Sequence, residues 1–251
     1  MARFKVLYGF HAITARIRHN PLSIEEVLYD STRRDRRMRD FLQAAHSFNV
    51  RLIGVDNERL YGLSGTKQHQ GVVARATDFL PAISLTDLID TLLEPALLLV
   101  LDRVTDPNNL GACLRVANAA GVQAVIAPRD HAAGLNSIAT KVASGATETM
   151  PYITVTNLAR SLHELKKAGI WVIGTTIDAP RSLYTTVLDG PIALIMGSEG
   201  GGIRRLTRET CDDLIHIPMM GSINSLNVSV ASGICLFEAV RQRISTKKLI
   251  G

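Results

Sequence analysis

From Ala96 onward the chain repeats one pattern: a short, near-continuous apolar run, then a polar loop, then a helical stretch. The runs are Leu97 to Leu101, Ala124 to Ala127, Ile153 to Val155, Trp171 to Gly174 and Ile192 to Met196. Strands that face water on one side alternate apolar with polar residues. Uninterrupted apolar strands between helices instead indicate a parallel sheet covered on both faces. A further strand from Leu214 to Ile217 precedes a last long helix from about Leu226 to Arg243. In such a sheet ligands collect beyond the carboxyl ends of the strands, so the loops that follow them are the places to look for chemistry.

The first third reads differently. Lys5 to Gly9, a helix from His11, Glu26 to Tyr29, an Arg-rich helix to about Phe48, and Val50 to Val55 make a small α/β domain that closes near Gly71 to Ala74. A turn is expected at Gly62 to Lys67, and residues 76–95, with Pro81 and Pro95, read as a partly helical connector. The expected division is therefore 1–75, a linker at 76–95, and a second domain at 96–246.

Charge divides along the same line. Residues 1–75 hold 13 Lys and Arg against 7 Asp and Glu, whereas residues 76–251 hold 15 against 16. The whole +5 excess thus belongs to the N-terminal third, as expected of a part that meets a polyanion. Arg33, Arg34, Arg36, Arg37 and Arg39 dominate it, and Arg33, Arg34 and Arg36 are the candidate contacts to a phosphate backbone. Asp35 and Asp40 also allow a plain solvated helix face. Cys113, Cys211 and Cys235 are widely spaced and form no Cys-x-x-Cys pair, which argues against a metal site or disulfide framework. The absence of an apolar stretch of membrane or signal-peptide length leads to an expected cytoplasmic location without membrane association.

No G-x-G-x-x-G follows a strand, and neither G-x-x-x-x-G-K-[ST] nor G-x-S-x-G occurs, so a common dinucleotide site, a P-loop and a standard α/β-hydrolase are disfavoured. Three strand-end segments remain. Leu101-Asp-Arg-Val-Thr-Asp-Pro-Asn-Asn-Leu-Gly-Ala-Cys-Leu-Arg115 opens a helix for which Asn109 is a candidate cap. On that helix Asn108, Gly111, Arg115 and Asn118 are spaced to share a small, polar face able to admit a ligand. Ile195-Met-Gly-Ser-Glu-Gly-Gly-Gly-Ile203 sets a single carboxylate, Glu199, among glycines whose backbone can approach a ligand. Ile217-Pro-Met-Met-Gly-Ser-Ile-Asn-Ser-Leu-Asn-Val-Ser-Val-Ala231 offers hydroxyls and amides but no strong acid or base, and Ser225 is also a candidate helix cap. Taken singly, each segment is also consistent with an ordinary capped helix or turn.

In this order, the three segments resemble the signature blocks of the SPOUT superfamily, in its branch of tRNA and rRNA ribose 2′-O-methyltransferases. Asn109 with Arg115 fits the first block, Gly197-Ser-Glu199-Gly the second, and Ile217-Pro218 with Ser225-Leu-Asn-Val-Ser229 the third. The run Thr105 to Arg115 is most similar to the bacterial 23S rRNA guanosine 2′-O-methyltransferase subgroup. Tyr8-Gly-Phe-His-Ala12 and His69-Gln-Gly71 resemble the substrate-binding domain of its longer members.

The resemblance implies an α/β fold with a trefoil-knotted catalytic domain on a parallel sheet, a small N-terminal α/β substrate-binding domain, and a homodimer whose subunits both contribute to one site. It implies S-adenosylmethionine as cofactor, held by Gly197, Ile217 and Leu226, and 23S rRNA as substrate. Asn109, Arg115, Glu199, Ser225 and Asn227 would form the catalytic neighbourhood. The family proposal makes Arg115 a general base, but a guanidinium is a poor proton acceptor near neutral pH. A phosphate clamp that also stabilises charge growing on the 2′-oxygen suits it better. The competing expectations are a non-catalytic RNA-binding or ribosome-assembly protein on the same fold, and a methyltransferase acting on tRNA ribose or a base nitrogen.

Overall fold

The computed structural model describes residues 4–77, 83–92 and 95–250. The chain forms two compact units, Met1–Pro81 with Ser144–Thr149, and Ala82–Ala143 with Met150–Gly251.

The first unit carries strands β1 (Phe4–Tyr8), β2 (Ile24–Asp30), β3 (Leu52–Val55) and β4 (Val72–Thr77) in the order β1-β4-β2-β3. β4 runs antiparallel to both β1 and β2, and β3 is parallel to β2. Helices α1 (Phe10–His19) and α2 (Arg36–Ser47) pack on this sheet, with Ile13, Ile17, Met38, Phe41 and Ala45 buried among Val27, Val72 and Ala74. On α2 the buried positions 38, 41 and 45 follow helical spacing, which turns its arginines outward. The helix begins later than the arginine run, because the Asp35 carboxylate accepts the Met38 N–H and fixes the first turn after Arg34. The turn expected at Gly62 to Lys67 is partly helix: Asp56 caps α3 (Asn57–Ser64), which stops at Gly65 in the left-handed conformation.

A short segment from the second half of the chain completes this unit. Glu148 is buried, and Arg16, itself almost fully buried, donates to it through Nε at 2.8 Å and again through Nη2. Lys5 adds an ion pair at 3.1 Å, and Arg16 Nη1 reaches the Thr77 carbonyl at 3.1 Å. Such a paired, hydrogen-bonded cluster is costly to break from one side, since it strands a buried charge.

Within the expected linker, Ala76 and Thr77 end β4, and a Ser84–Asp87 capping box starts α4 (Leu85–Thr91). Residues 78–82 and 93–94 lie outside the described part.

The second unit is a seven-stranded sheet: β5 (Leu97–Asp102), β6 (Ala124–Pro128), β7 (Tyr152–Val155), β8 (Trp171–Thr175), β9 (Arg181–Ser182), β10 (Ile192–Gly197) and β11 (Asp213–His216). Its order is β7-β6-β5-β10-β8-β11-β9, and every pairing is parallel. With α4, helices α5 (Pro107–Ala119), α6 (Ser137–Val142), α7 (Leu158–Lys167), α8 (Arg205–Thr210) and α9 (Val228–Ile250) complete it. All six residues of β5 are buried, and Leu98, Leu99, Val100 and Asp102 are fully inaccessible, which accounts for the unbroken apolar run up to Leu101. Burying each such leucine is worth roughly 1.5–3 kcal/mol.

One glycine sets helix spacing in this unit. A Cβ on Gly111 would lie 2.5 Å from the Ala139 carbonyl oxygen and 2.7 Å from Val142 Cβ, so this position exists to let α5 and α6 touch. Of the small polar face expected on this helix, Gly111 is therefore spent on a buried helix contact, while Asn108, Arg115 and Asn118 stay exposed. Asn109 is not the cap of α5 either: Asp106 accepts the Asn108 N–H, because Pro107 at the first helical position moves the start three residues earlier. At α9 the capping side chain is Asn227, whose Oδ1 accepts from Ser229 N at 2.9 Å, and not Ser225.

Candidate active site

In the sheet register Gly197 stands opposite Asp102, so the ends of β10 and β5 deliver the first two polar segments side by side. Gly197 tolerates no side chain, since a Cβ there would sit 2.1 Å from the Gly202 carbonyl carbon. The loop returns on itself through paired backbone hydrogen bonds between Ser198 and Gly202 at 3.1 and 2.9 Å, with Gly200 and Gly202 at positive φ. Its far end is pinned by Asp102, which is fully buried and accepts the Arg204 N–H at 3.0 Å and Arg204 Nε at 2.7 Å.

This folding-back presents Glu199 to the other two segments. Asn109 Nδ2 donates to Glu199 Oε1 at 3.1 Å, and Asn227 Nδ2 donates to the same oxygen at 2.6 Å. Asn227 Nδ2 also donates to Asn109 Oδ1 at 2.9 Å, while Asn227 Oδ1 takes the Ser229 hydroxyl at 2.6 Å. One carboxylate oxygen thus ties residues 109, 199 and 227 into a single hub. Arg115 is exposed further along α5, and Ser225 is exposed in the segment leading to the hub.

Beside the hub lies a cavity of about 1070 Å³ walled by the loops after β8, β10 and β11. Gly197, Glu199, Ile217, Ser225 and Leu226 line it; Asn109, Arg115 and Asn227 do not. Its remaining walls include Thr175 to Asp178, Arg208 and His216, none of which had been singled out in the sequence. The apolar run Trp171 to Gly174 gave the signal, since the loop after it obeys the same strand-end rule. The Thr176 hydroxyl, without a hydrogen bond of standard geometry, and the Arg208 guanidinium, at 2.9 Å, hold the Asp178 carboxyl below the ordinary carboxylate range. His216 Nδ1 donates to the Ala179 carbonyl at 2.9 Å, which fixes its tautomer. Among the described residues no group of three or more His, Cys, Asp or Glu is placed to hold a metal, and no helix is long and apolar enough to cross a membrane.

The arginines proposed for RNA lie in the first unit and differ from one another. Arg33 is committed to an ion pair with Asp35 and to the Gln70 carbonyl at 2.6 Å, Arg36 pairs with Asp40 at 3.7 Å, and Arg34 is exposed.

Residues 96–237 match the family model of the SpoU rRNA methylase family, and residues 6–81 match that of RNA 2′-O ribose methyltransferase substrate binding. The chain is 63% identical over 243 residues to 23S rRNA (guanosine-2′-O-)-methyltransferase RlmB of Ralstonia nicotianae, covering 97% of this chain and 98% of that one. It is 54% identical to the protein of the same name in Nitrosomonas europaea, covering 96% and 93%. Among solved structures it is similar to the SpoU methyltransferase AviRb from Streptomyces viridochromogenes in complex with AdoMet. That match has a TM-score of 0.76 and 27% identity, covering 96% of this chain and 91% of that one.

Proposed function

The chain belongs to the SpoU rRNA methylase family, and on that premise we propose that it transfers the methyl group of S-adenosylmethionine to the ribose 2′-hydroxyl of a guanosine in 23S rRNA. The observation that carries this reading is the Asn109–Glu199–Asn227 hub at the edge of the cavity. A non-catalytic protein on the same fold has no need to join three separate loops through one carboxylate oxygen. Curated relatives that bear the 23S rRNA guanosine activity in their names match over nearly their whole length, which favours this substrate over tRNA or a base nitrogen.

The cavity suits the cofactor. Met196, Ile215, Ile217 and Leu226 offer apolar wall to an adenine, and the glycines at 197 and 200–202 leave backbone groups within reach. Glu199 supplies negative charge against a sulfonium, and Asp178, charged but paired with Arg208, offers its carboxylate oxygens as acceptors to an ammonium. Gly197, Ile217 and Leu226 are the residues we assign to holding it. When bound, S-adenosylmethionine supplies an electrophilic methyl group, and displacement at that carbon requires the attacking oxygen in line with the sulfur.

The chain's own groups do the aligning. Asn109, Glu199, Asn227 and Ser225 orient the ribose, and Arg115 takes the adjacent phosphate in a two-pronged grip and stabilises charge growing on the 2′-oxygen. Arg33, Arg34 and Arg36 belong to the RNA-binding domain, residues 1–75, joined through 76–95 to the catalytic domain at 96–246. We assign the catalytic domain the trefoil-knotted SPOUT topology; the sheet order, with β10 inserted between β5 and β8, supports it. A cytoplasmic homodimer that works without a metal completes the reading.

Incubating purified protein with methyl-labelled S-adenosylmethionine and unmodified 23S rRNA, followed by mapping of ribose methylation, tests it. Label at a single guanosine 2′-oxygen is expected. Label on tRNA or on a base, or cofactor binding without transfer, overturns it.

A further inference from the structure

The first unit contains a cationic cluster whose geometry differs from that of a solvated arginine face. Phe10 opens α1 and is buried, yet two guanidinium groups lie over its ring: Arg37 at 4.6 Å and Arg33 at 5.2 Å from the centroid. Such stacking holds a planar cation in place. Arg33 is neutralised there by Asp35 and anchored on the Gln70 carbonyl at 2.6 Å. Arg37 is not neutralised. Among the described residues the ion pairs of this stretch are Arg33 with Asp35 and Arg36 with Asp40, and Arg37 enters none. Its Nη2 instead lies 3.2 Å from His11 Nε2. A guanidinium can only donate, so in this contact His11 accepts through Nε2.

We propose that Arg37, seated on Phe10 and aimed by His11, forms a binding site for one phosphodiester of the RNA substrate, with Arg33 as the strut that holds the platform. This proposal rests on the RNA-methylating function above and names where that RNA's backbone is gripped. A phosphate fits better than a base because the Phe10 ring is buried and already covered by cations, which leaves no aromatic face for stacking. The guanidinium also keeps N–H donors beyond the one spent on His11, in the planar fork that matches phosphate oxygens. Being held by a ring and an imidazole, Arg37 loses less side-chain freedom on binding than the exposed Arg34 would. The division of labour within the run thus changes: Arg37 grips, Arg33 supports, and Arg36 is partly spent on Asp40.

The experiment measures binding of the full-length protein to an unmodified 23S rRNA transcript across a range of salt concentrations, with thermal melting as the control for folding. Arg37→Ala is expected to weaken binding about ten-fold at low salt and to make the log–log salt dependence shallower by about one. Arg37→Lys keeps the charge and should preserve the slope while losing affinity. His11→Ala removes an aiming group and no charge, so it should cost affinity with the wild-type slope. Wild-type binding and methylation together with an unchanged slope in Arg37→Ala overturns this site alone. A wild-type protein that binds no rRNA overturns the site and the function together.

Discussion

At the scale of single residues, the site depends on Glu199 being held by partners from distant parts of the sequence. Because Asn109 and Asn227 share one carboxylate oxygen and each other, the three act as one unit. Glu199→Gln turns part of that acceptor into a donor facing two amide donors. Misplacing reacting groups by as little as 1 Å can cost roughly 100-fold, and we expect a fall in kcat of about that size. Combining Glu199→Gln with Asn227→Ala should cost little more than the worse single change, whereas independent groups would multiply their effects. A double-mutant cycle on kcat measures this. The residue types were legible in the sequence, and the segments 109–115, 197–199 and 225–229 were correctly expected to follow strands. Which side chain meets which was not, because hydrogen bonds between residues 118 and 90 positions apart leave no local pattern.

At the scale of elements, packing overrode pattern in two places. Gly111 was legible as part of a small polar helix face, but its smallness serves the contact of α5 with α6. Gly111→Ala gains about 1 kcal/mol of helix propensity and forces a methyl group to within 2.5 Å of the Ala139 carbonyl oxygen. Backbone gives way poorly, and overpacking of this kind costs roughly 1–3 kcal/mol or more. The net expectation is a lower Tm, read by thermal unfolding; a raised Tm would mean that α6 yields freely. The caps tell a similar story. Asp106 and Asn227, and not Asn109 and Ser225, start α5 and α9, which releases Asn109 for the hub. Sequence spacing permits several caps within three residues, and only the entry angle of the chain selects one.

At the scale of the whole molecule, two expectations concern properties that no single element carries. Val230, Phe237 and Ile244 on α9 are about half exposed and recur every seven residues, so they lie on one helix face. Half-exposed apolar side chains aligned on one helix face are the surface expected of the proposed homodimer. Phe237→Glu should shift sedimentation toward monomer and lower activity with it. Burial raises the thiols of Cys113 to about 11 and of Cys211 and Cys235 to about 12, from an ordinary 9.0. An unfolded chain ionises these thiols first, so their share of the stability is complete below about pH 9 and drains as pH rises toward 11 to 12. Urea midpoints followed from pH 8 to 10.5 should fall, and less steeply in Cys235→Ala. The sequence by itself determined the alternation of buried strand and helix, the basic character of the first third and the three polar loops, because burial periodicity and charge are written locally along the chain. Tertiary structure alone decided that β10 lies between β5 and β8, that residues 144–149 complete the first unit around Arg16, and that Glu199 rather than Arg115 is the centre of the hydrogen-bonded hub. Each of these depends on which distant surfaces meet, and that is fixed by the packing of the whole chain.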